Sequence, residues 1–161
     1  MQNRRLIALR ARASRSLAGC APHRPAPEPH GAAAGPAAVD SRGPVTFPAP
    51  MKAATLAHMR DHLAALQEIH AALAAARFDE AVVIAEKRLG MSSMPDHGAH
   101  EVARYMPAGM REAGTQMHRS ASRFAAAATD GGVSQDVRPA LAALAQVTAT
   151  CVACHATYRL E

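Results

Sequence analysis

Residues 141–159 read LAALAQVTATCVACHATYR, and this stretch predicts the last part of a long helix. Side chains that would share one helical face recur here at spacings of three and four residues, the spacing of a single stripe. They are Leu141, Leu144, Val147 or Thr148, Cys151, His155 and Tyr158. We predict that the helix starts between Ser134 and Arg138, because Pro139 is tolerated only in a first turn.

The same periodicity predicts two helices at the start of the folded region. The first runs from about Lys52 to Ala76, and its stripe consists of Leu56, Met59, Leu63, Leu66, Ile69 and Leu73. The second begins at a cap formed by Asp79 and ends at Leu89, where Gly90 takes the position favoured by glycine.

A third helical segment is predicted over residues 97–128, after a loop at 91–96. Pro107 and Gly109 should bend or restart it near residue 106, and residues 129–132, Thr-Asp-Gly-Gly, should end it. Its stripe consists of Met106, Met110, Ala113, Met117, Ala121 and Phe124. Long amphipathic helices joined by short connections favour an antiparallel four-helix bundle.

Composition agrees with an all-α fold. Apolar residues make up 49% of the 161 residues, yet aromatic residues make up only 3%, and tryptophan is absent. The apolar content is therefore mostly alanine, leucine, valine and methionine, which suit packed helices better than a β-sandwich. We predict one domain, spanning residues 51–161.

The first fifty residues have a different character. Residues 1–20 begin like an export signal and end in Leu17-Ala18-Gly19-Cys20, which resembles a lipoprotein signal, but Arg10, Arg12 and Arg15 interrupt its apolar part. Lipidation at Cys20 and an incidental cysteine in a basic arm both fit this pattern. Residues 21–50 hold eight of the eleven prolines of the chain, from Pro22 to Pro50, and we predict a disordered linker there.

The net charge of +5 comes from the same N-terminal region. Residues 1–50 contain seven arginines and two acidic residues, whereas residues 51–161 contain eleven basic and eleven acidic residues. A neutral domain with few aromatic residues does not suit nucleic-acid binding. No apolar run approaches the length of about 20 residues that crosses a bilayer, so no transmembrane helix is predicted.

The sequence Cys151-Val152-Ala153-Cys154-His155 has the CxxCH pattern of covalent haem c attachment. Residues three apart lie on one face of a helix, so both thiols can form thioethers with the vinyl groups of one porphyrin. His155 follows at once and can bind the iron as its proximal ligand. Only six residues follow His155, so the opposite side of the haem must come from upstream helices.

Two other classes of protein site contain Cys-x-x-Cys pairs, namely redox-active disulfides and structural zinc sites. A redox-active disulfide usually opens a helix in a βαβ setting, whereas this pair ends an alanine-rich helix. A structural zinc site needs a second close pair of ligands, and Cys20 is the only other cysteine. Both alternatives fit less well than haem.

The stretch CVACHATYR, residues 151–159 near the C-terminus, resembles the cytochrome c′ family of class II c-type cytochromes, including their low-spin, methionine-ligated relatives. Phe78-Asp79-Glu80-Ala81 and Asp130-Gly131 also lie where similar segments lie in that family. The resemblance covers roughly residues 52–161. It implies a left-handed antiparallel four-helix bundle with one haem near one end, among helices one, three and four.

The same resemblance implies roles for two arginines. Arg159, four residues after His155, matches a basic residue beside the proximal histidine, and Arg60 matches one that pairs with a haem propionate. Members of the family are periplasmic, pass electrons to redox partner proteins or bind small gases such as nitric oxide, and often form homodimers.

The sequence leaves several alternatives for the sixth coordination position of the iron. The family register puts the distal residue at Leu63 or Ala64, neither of which binds iron, and this predicts five-coordinate, high-spin iron. Met59 and His62 lie within one turn and are alternative distal ligands. Met117 and His118 on the third segment are further candidates.

Nine histidines are many for this length, and His58 with His62 has the i, i+4 spacing of a helical metal clip, while His97 and His100 lie close in sequence. We interpret them as solvated or cap-forming. No catalytic motif is present, so an enzyme is not expected. We predict a periplasmic one-electron carrier with one covalent haem c. The alternatives are a five-coordinate haem protein that binds nitric oxide or carbon monoxide, and a haem-free helical metal-binding or adaptor bundle.

Overall fold

The computed structural model describes residues 39–161, and this part of the chain is mostly helical, as the sequence predicts. Its helices and strands are β1 Gly43–Val45, α1 Ala49–Ala74, α2 Phe78–Arg88, a 3-10 turn Met91–Ser93, α3 Ala99–Ala103, α4 Ala108–Ser134, α5 Arg138–Thr157 and β2 Tyr158–Leu160. The predictions for the leader 1–20, for Cys20 and for most of the linker fall outside the described residues.

The described chain begins and ends in a two-stranded parallel sheet. Gly43 pairs with Tyr158 and Val45 with Leu160, while Val45 and Phe47 are buried. The prediction of a disordered linker is therefore wrong for residues 43–50, which form β1 and the start of α1. The two strands are short and have no helical or alternating pattern of their own, and each pairs with a segment far away in the sequence, so no local pattern predicted them.

The main core lies between the four longer helices. Helix α4 packs against α5 and α2, and α2 packs against α1. Large side chains from each helix meet here, including Ile69, Leu89, Phe124 and Val147. Alanines fill the remaining positions and allow the helices to approach closely; those with no exposed surface are Ala65, Ala72, Ala81, Ala85, Ala121, Ala128 and Ala140.

Helix α1 turns a different face inward from the one predicted. Leu63 is 69% exposed and Leu56 is 38% exposed, whereas Ala65 and Ala72 are fully buried. Within the predicted stripe, Ile69 and Leu73 enter the core and Leu66 packs against it, whereas Leu56 and Leu63 do not. On α1, alanines therefore take core positions that these two leucines do not, and a hydropathy pattern gives alanine little weight.

The ends of α2 and α4 also differ from the prediction. Helix α2 begins at Phe78 with no side-chain cap, so the capping role predicted for Asp79 is wrong. Gly90 follows the helix as predicted, but its φ of −73° needs no glycine. Helix α4 does not end at residues 129–132, as predicted, but continues to Ser134. Gly131 and Gly132 lie within it, and their missing side chains leave room for the ring of Phe78.

The breaks around the other helices agree with the sequence. Pro107 lies just before α4 and separates that helix from the short α3. Pro139 lies in the first turn of α5. Next to that turn, the Oδ1 atom of Asp136 accepts a hydrogen bond from the backbone N–H of Arg138 at 3.0 Å.

Helix α5 is long and apolar enough to cross a membrane by length and composition, with a mean hydropathy of 1.4 over its best window. The sequence did not predict this. Three of its side chains, Ala140, Leu144 and Val147, are buried in the core, and 17% of that window is buried in total.

Candidate functional site

A large cavity of about 660 Å³ opens beside the C-terminal end of α5. Its wall is formed by α1, by the irregular segment and α3 between residues 91 and 106, by α4, and by the end of α5. A volume in this range accommodates a cofactor-sized molecule. The four elements that surround the cavity are far apart in sequence, so only the folded chain creates it.

Helix α5 contributes Cys151, Cys154 and His155 to this wall, together with Thr150. The two cysteines are free thiols and partly buried, and Cys151 also packs against the main core. Cys154 packs instead against a second, smaller cluster formed by Val45, Phe47 and Met110. The predicted motif residues therefore lie together on one face, and the N-terminal strand region supports them from behind.

Burial raises the pKa of both thiols above the ordinary value, and Cys154 adds to the effect at Cys151. Both are therefore protonated at neutral pH. A redox-active Cys-x-x-Cys pair needs the opposite shift, which the N-terminus of a helix provides. This pair lies at the C-terminal end of α5. The electrostatics thus disfavour a thioredoxin-like role.

Helix α1 contributes Met59 and His62 to the cavity wall, one turn apart, along with Thr55 and His58. Leu63 and Ala64 are exposed and are not part of the wall. The expectation that they form the distal side is therefore wrong, because α1 is rotated relative to the predicted stripe. Arg60 is also exposed and does not line the cavity, so the structure does not bring it to the site.

Helix α4 contributes Met117 and His118, as well as Gly114 and Arg111. A Cβ atom at Gly114 would meet no atom within 4 Å, so this stretch of wall borders open space. Arg111 is the only arginine or lysine on the wall within residues 39–161, and the sequence analysis did not single it out. Its i, i+3 and i+7 spacing from Gly114 and His118 is the signal that could have revealed it.

Arg111 is held in place by the backbone. Its Nη1 atom donates hydrogen bonds to the carbonyl oxygen of Met106 at 2.7 Å and to that of Ala103 at 3.4 Å. A second, shallower recess beside the cavity includes Arg111, Arg104 and His100. Glu101 also lines this recess, so two guanidinium groups and one carboxylate share this side of the rim.

Arg159 has a different environment from the one predicted. It lies in β2, because α5 ends at Thr157, so it does not share a helical face with His155. Its Nη1 atom lies 2.7 Å from Glu161 Oε1, and its Nε atom lies 3.9 Å from Asp40 Oδ2. Arg159 does not line the cavity. Arg42 reaches the backbone of the motif instead, and its Nη1 donates to the His155 carbonyl oxygen at 3.4 Å.

Four histidine rings stand together on the cavity wall, and we call His58, His62, His97 and His118 the histidine cluster. The centroid of the His97 ring is 4.9 Å from that of His58, 4.8 Å from that of His62 and 5.3 Å from that of His118. The rings of His62 and His118 are 5.9 Å apart. The interpretation of these residues as solvated is wrong for His62 and His97, whose Nε2 and Nδ1 atoms, respectively, are buried.

Burial lowers the pKa of three members of the cluster. It lowers the pKa of His62 to about 4, with smaller contributions from charge on His97 and His118, and it lowers those of His97 and His118 as well. The rings are therefore neutral at pH 7. Within residues 39–161, no three His, Cys, Asp or Glu side chains are already arranged as a metal centre.

Comparisons with models of protein families, with curated proteins and with solved structures find no match to this chain.

Proposed function

We propose that α1, α2, α4 and α5 form a four-helix bundle of the cytochrome c′ type that carries one covalently bound haem c and transfers single electrons outside the cytoplasm. The observation that carries this proposal is the meeting of Cys151, Cys154 and His155 on the wall of one cofactor-sized cavity. The partners of such a carrier are redox proteins.

The residues present fit a haem. The two thiols lie three residues apart on one helical face, which suits thioether bonds to two vinyl groups of one macrocycle. His155 is on the same wall and would bind the iron. Gly114 borders open space, so the wall of α4 leaves room for a flat ring. A bound haem supplies one-electron exchange between ferric and ferrous iron.

The wall also bears on the sixth ligand. Met59 and His62 line the cavity, whereas Leu63 and Ala64 do not. This supports iron with a second protein ligand and an electron carrier, rather than an open distal site for a gas. Arg111 takes the role that the family resemblance gave to Arg60, because a guanidinium on the rim suits a propionate carboxylate.

The test is expression of the full chain together with a cytochrome c maturation system. We expect haem that stays on the protein through acid and organic extraction, and loss of that haem in a Cys151→Ala, Cys154→Ala double variant. Val152→Ala is the matched control, because its side chain lies between the cysteines and is 63% exposed. A double variant that retains extraction-resistant haem would overturn the assignment.

Absorption spectra of the oxidised and reduced protein, with and without carbon monoxide, then test the sixth ligand. Low-spin bands in the wild type and high-spin bands in Met59→Ala or His62→Ala would identify the ligand. Leu63→Ala should leave the spectrum unchanged. A high-spin wild type that binds carbon monoxide would favour the gas-binding alternative.

A further inference from the structure

The histidine cluster contains buried ring nitrogens without partners. The Nε2 atom of His62 and the Nδ1 atom of His97 are buried and make no hydrogen bond. Buried polar atoms in native proteins are nearly always satisfied, and leaving one unpaired is unfavourable. Two such atoms on neighbouring rings, whose centroids are 4.8 Å apart, point to a shared missing partner.

A third ring is prepared in the way that metal ligands are. The Nδ1 atom of His118 lies 2.7 Å from the carbonyl oxygen of Leu89 and 3.2 Å from that of Gly90. Since carbonyl oxygens only accept hydrogen bonds, Nδ1 carries the proton and Nε2 keeps its lone pair. Metal-binding histidines typically donate their second ring N–H to a backbone carbonyl in this manner, which fixes the ring.

The spacing of the rings fits a small ion between them. Histidine nitrogens bind zinc at about 2.0–2.1 Å, so the centroids of two rings in a tetrahedral site lie about 5 Å apart. The three distances among His62, His97 and His118 are 4.8, 5.3 and 5.9 Å. His58, with its centroid 4.9 Å from that of His97, stands beside them as a fourth donor.

We propose that His62, His97 and His118, with His58 beside them, bind one late first-row divalent cation such as Zn²⁺ or Cu²⁺. Imidazole nitrogens suit these ions, whereas Mg²⁺ and Ca²⁺ need oxygen ligands. The site goes beyond the proposed haem function, but it shares the cavity with the haem and rests on Met59 rather than His62 being the sixth ligand, because the Nε2 atom of His62 cannot bind both metals.

Binding requires the rings to turn, because no three donors within residues 39–161 already meet in a coordination geometry. His97 lies in the irregular segment just before Gly98, outside any helix, so its ring is the one that can adjust.

The experiment is a Zn²⁺ titration of the matured full-length protein after treatment with a chelator, in competition with a chromogenic chelator. We expect one Zn²⁺ per chain and a rise in the thermal midpoint at saturation. His97→Ala and His118→Ala should each weaken binding at least about tenfold. Because His118 is buried and its loss can impair folding, His97→Ala is the decisive variant, with circular dichroism to check its fold.

The matched control is His70→Ala. His70 lies on α1 and its Nδ1 atom also contacts a backbone carbonyl oxygen, that of Leu66 at 2.6 Å, but it is exposed and outside the cavity. It should bind Zn²⁺ like the wild type.

Three results would overturn the proposal. They are no stoichiometric Zn²⁺ binding, binding that His97→Ala leaves unchanged, and a His118→Ala variant whose haem spectrum turns high-spin while the wild type takes up no Zn²⁺. The last result would assign the cluster to the haem iron. Extraction-resistant haem, measured on the same sample, tests the proposed haem function separately.

Discussion

The hydroxyl group of Tyr158 lies so close to the Cα atom of Gly109 that a Cβ atom at position 109 would be 2.5 Å from it. This contact joins the start of α4 to the first residue of β2, next to the CxxCH motif. It explains a glycine at the second position of a long helix, where alanine would otherwise be favoured.

Gly109→Ala should lower the free energy of unfolding by about 1–3 kcal/mol, because the new methyl group collides with the tyrosine hydroxyl. Adding Tyr158→Phe should restore most of the loss, since the next atom, Tyr158 Cζ, would lie 3.8 Å from the new Cβ. Urea denaturation of the two single variants and the double variant measures this. Gly114→Ala, whose Cβ meets no protein atom within 4 Å, measures the gain in helix propensity alone in the protein without haem. A double variant as unstable as Gly109→Ala would contradict the contact.

Phe47→Ala should destabilise the protein by about 3 kcal/mol or more, because a buried aromatic side chain leaves a cavity behind. Phe47 is only 5% exposed and packs against Tyr105 in the cluster that supports Cys154. Thermal unfolding checks the effect, with Val39→Ala as the control, since Val39 is 92% exposed. Equal midpoints for the two variants would mean that residues 43–50 are a linker after all.

Asp136→Asn should lower the urea midpoint at pH 7 and leave it nearly unchanged near pH 2. The Arg138 guanidinium and backbone N–H hold the pKa of Asp136 at about 2, below its usual range. A carboxyl group whose pKa is lowered by folding stabilises the folded state at a pH above its unfolded-state pKa, which is near 4. That stabilisation fades as the pH falls toward the folded-state pKa of about 2. Urea curves at both pH values give the comparison. A difference between wild type and variant that does not shrink in acid would exclude this role.

Arg111→Gln should lower the reduction potential of the proposed haem, whereas Arg60→Gln should change it little. A positive charge on the cavity wall disfavours ferric iron, and its removal favours the oxidised state. Arg111 lines the cavity and Arg60 does not. Potentiometric titration of both variants, followed by haem absorbance, makes the measurement. A larger shift for Arg60 would return the propionate role to the residue that the resemblance selected.

The positions of the motif residues could be predicted from the sequence, because CxxCH is local and helical spacing fixes which face it occupies. Cys151, Cys154 and His155 line one cavity as that reasoning requires. The prediction that Arg159 shares a helical face with His155 was wrong, because α5 ends at Thr157. Its end depends on pairing with β1, at the far end of the described chain, which no window of sequence contains.

Hydropathy also could not predict which face α1 turns toward the core. Leu63 looks like a core residue by its spacing, but the alanines at 65 and 72 take the buried positions and leave it 69% exposed. That rotation moves Leu63 away from the cavity and places His62 on its wall. Close packing of small residues thus decided which candidates reach the site. The grouping of His97 with His118 likewise needed tertiary structure, because a loop and a helix supply the two rings.

The pairing of β1 with β2 has a consequence for how the chain folds. β2 follows helices α1 to α5 in the chain, so β1 has no partner until those helices have been synthesised. Closing a loop that contains nearly all of the described chain is entropically costly, and such contacts form late. We therefore expect the helices to associate first and the strand pair to form last. In native-state hydrogen exchange, the amides of the two strands should then exchange before those of α4.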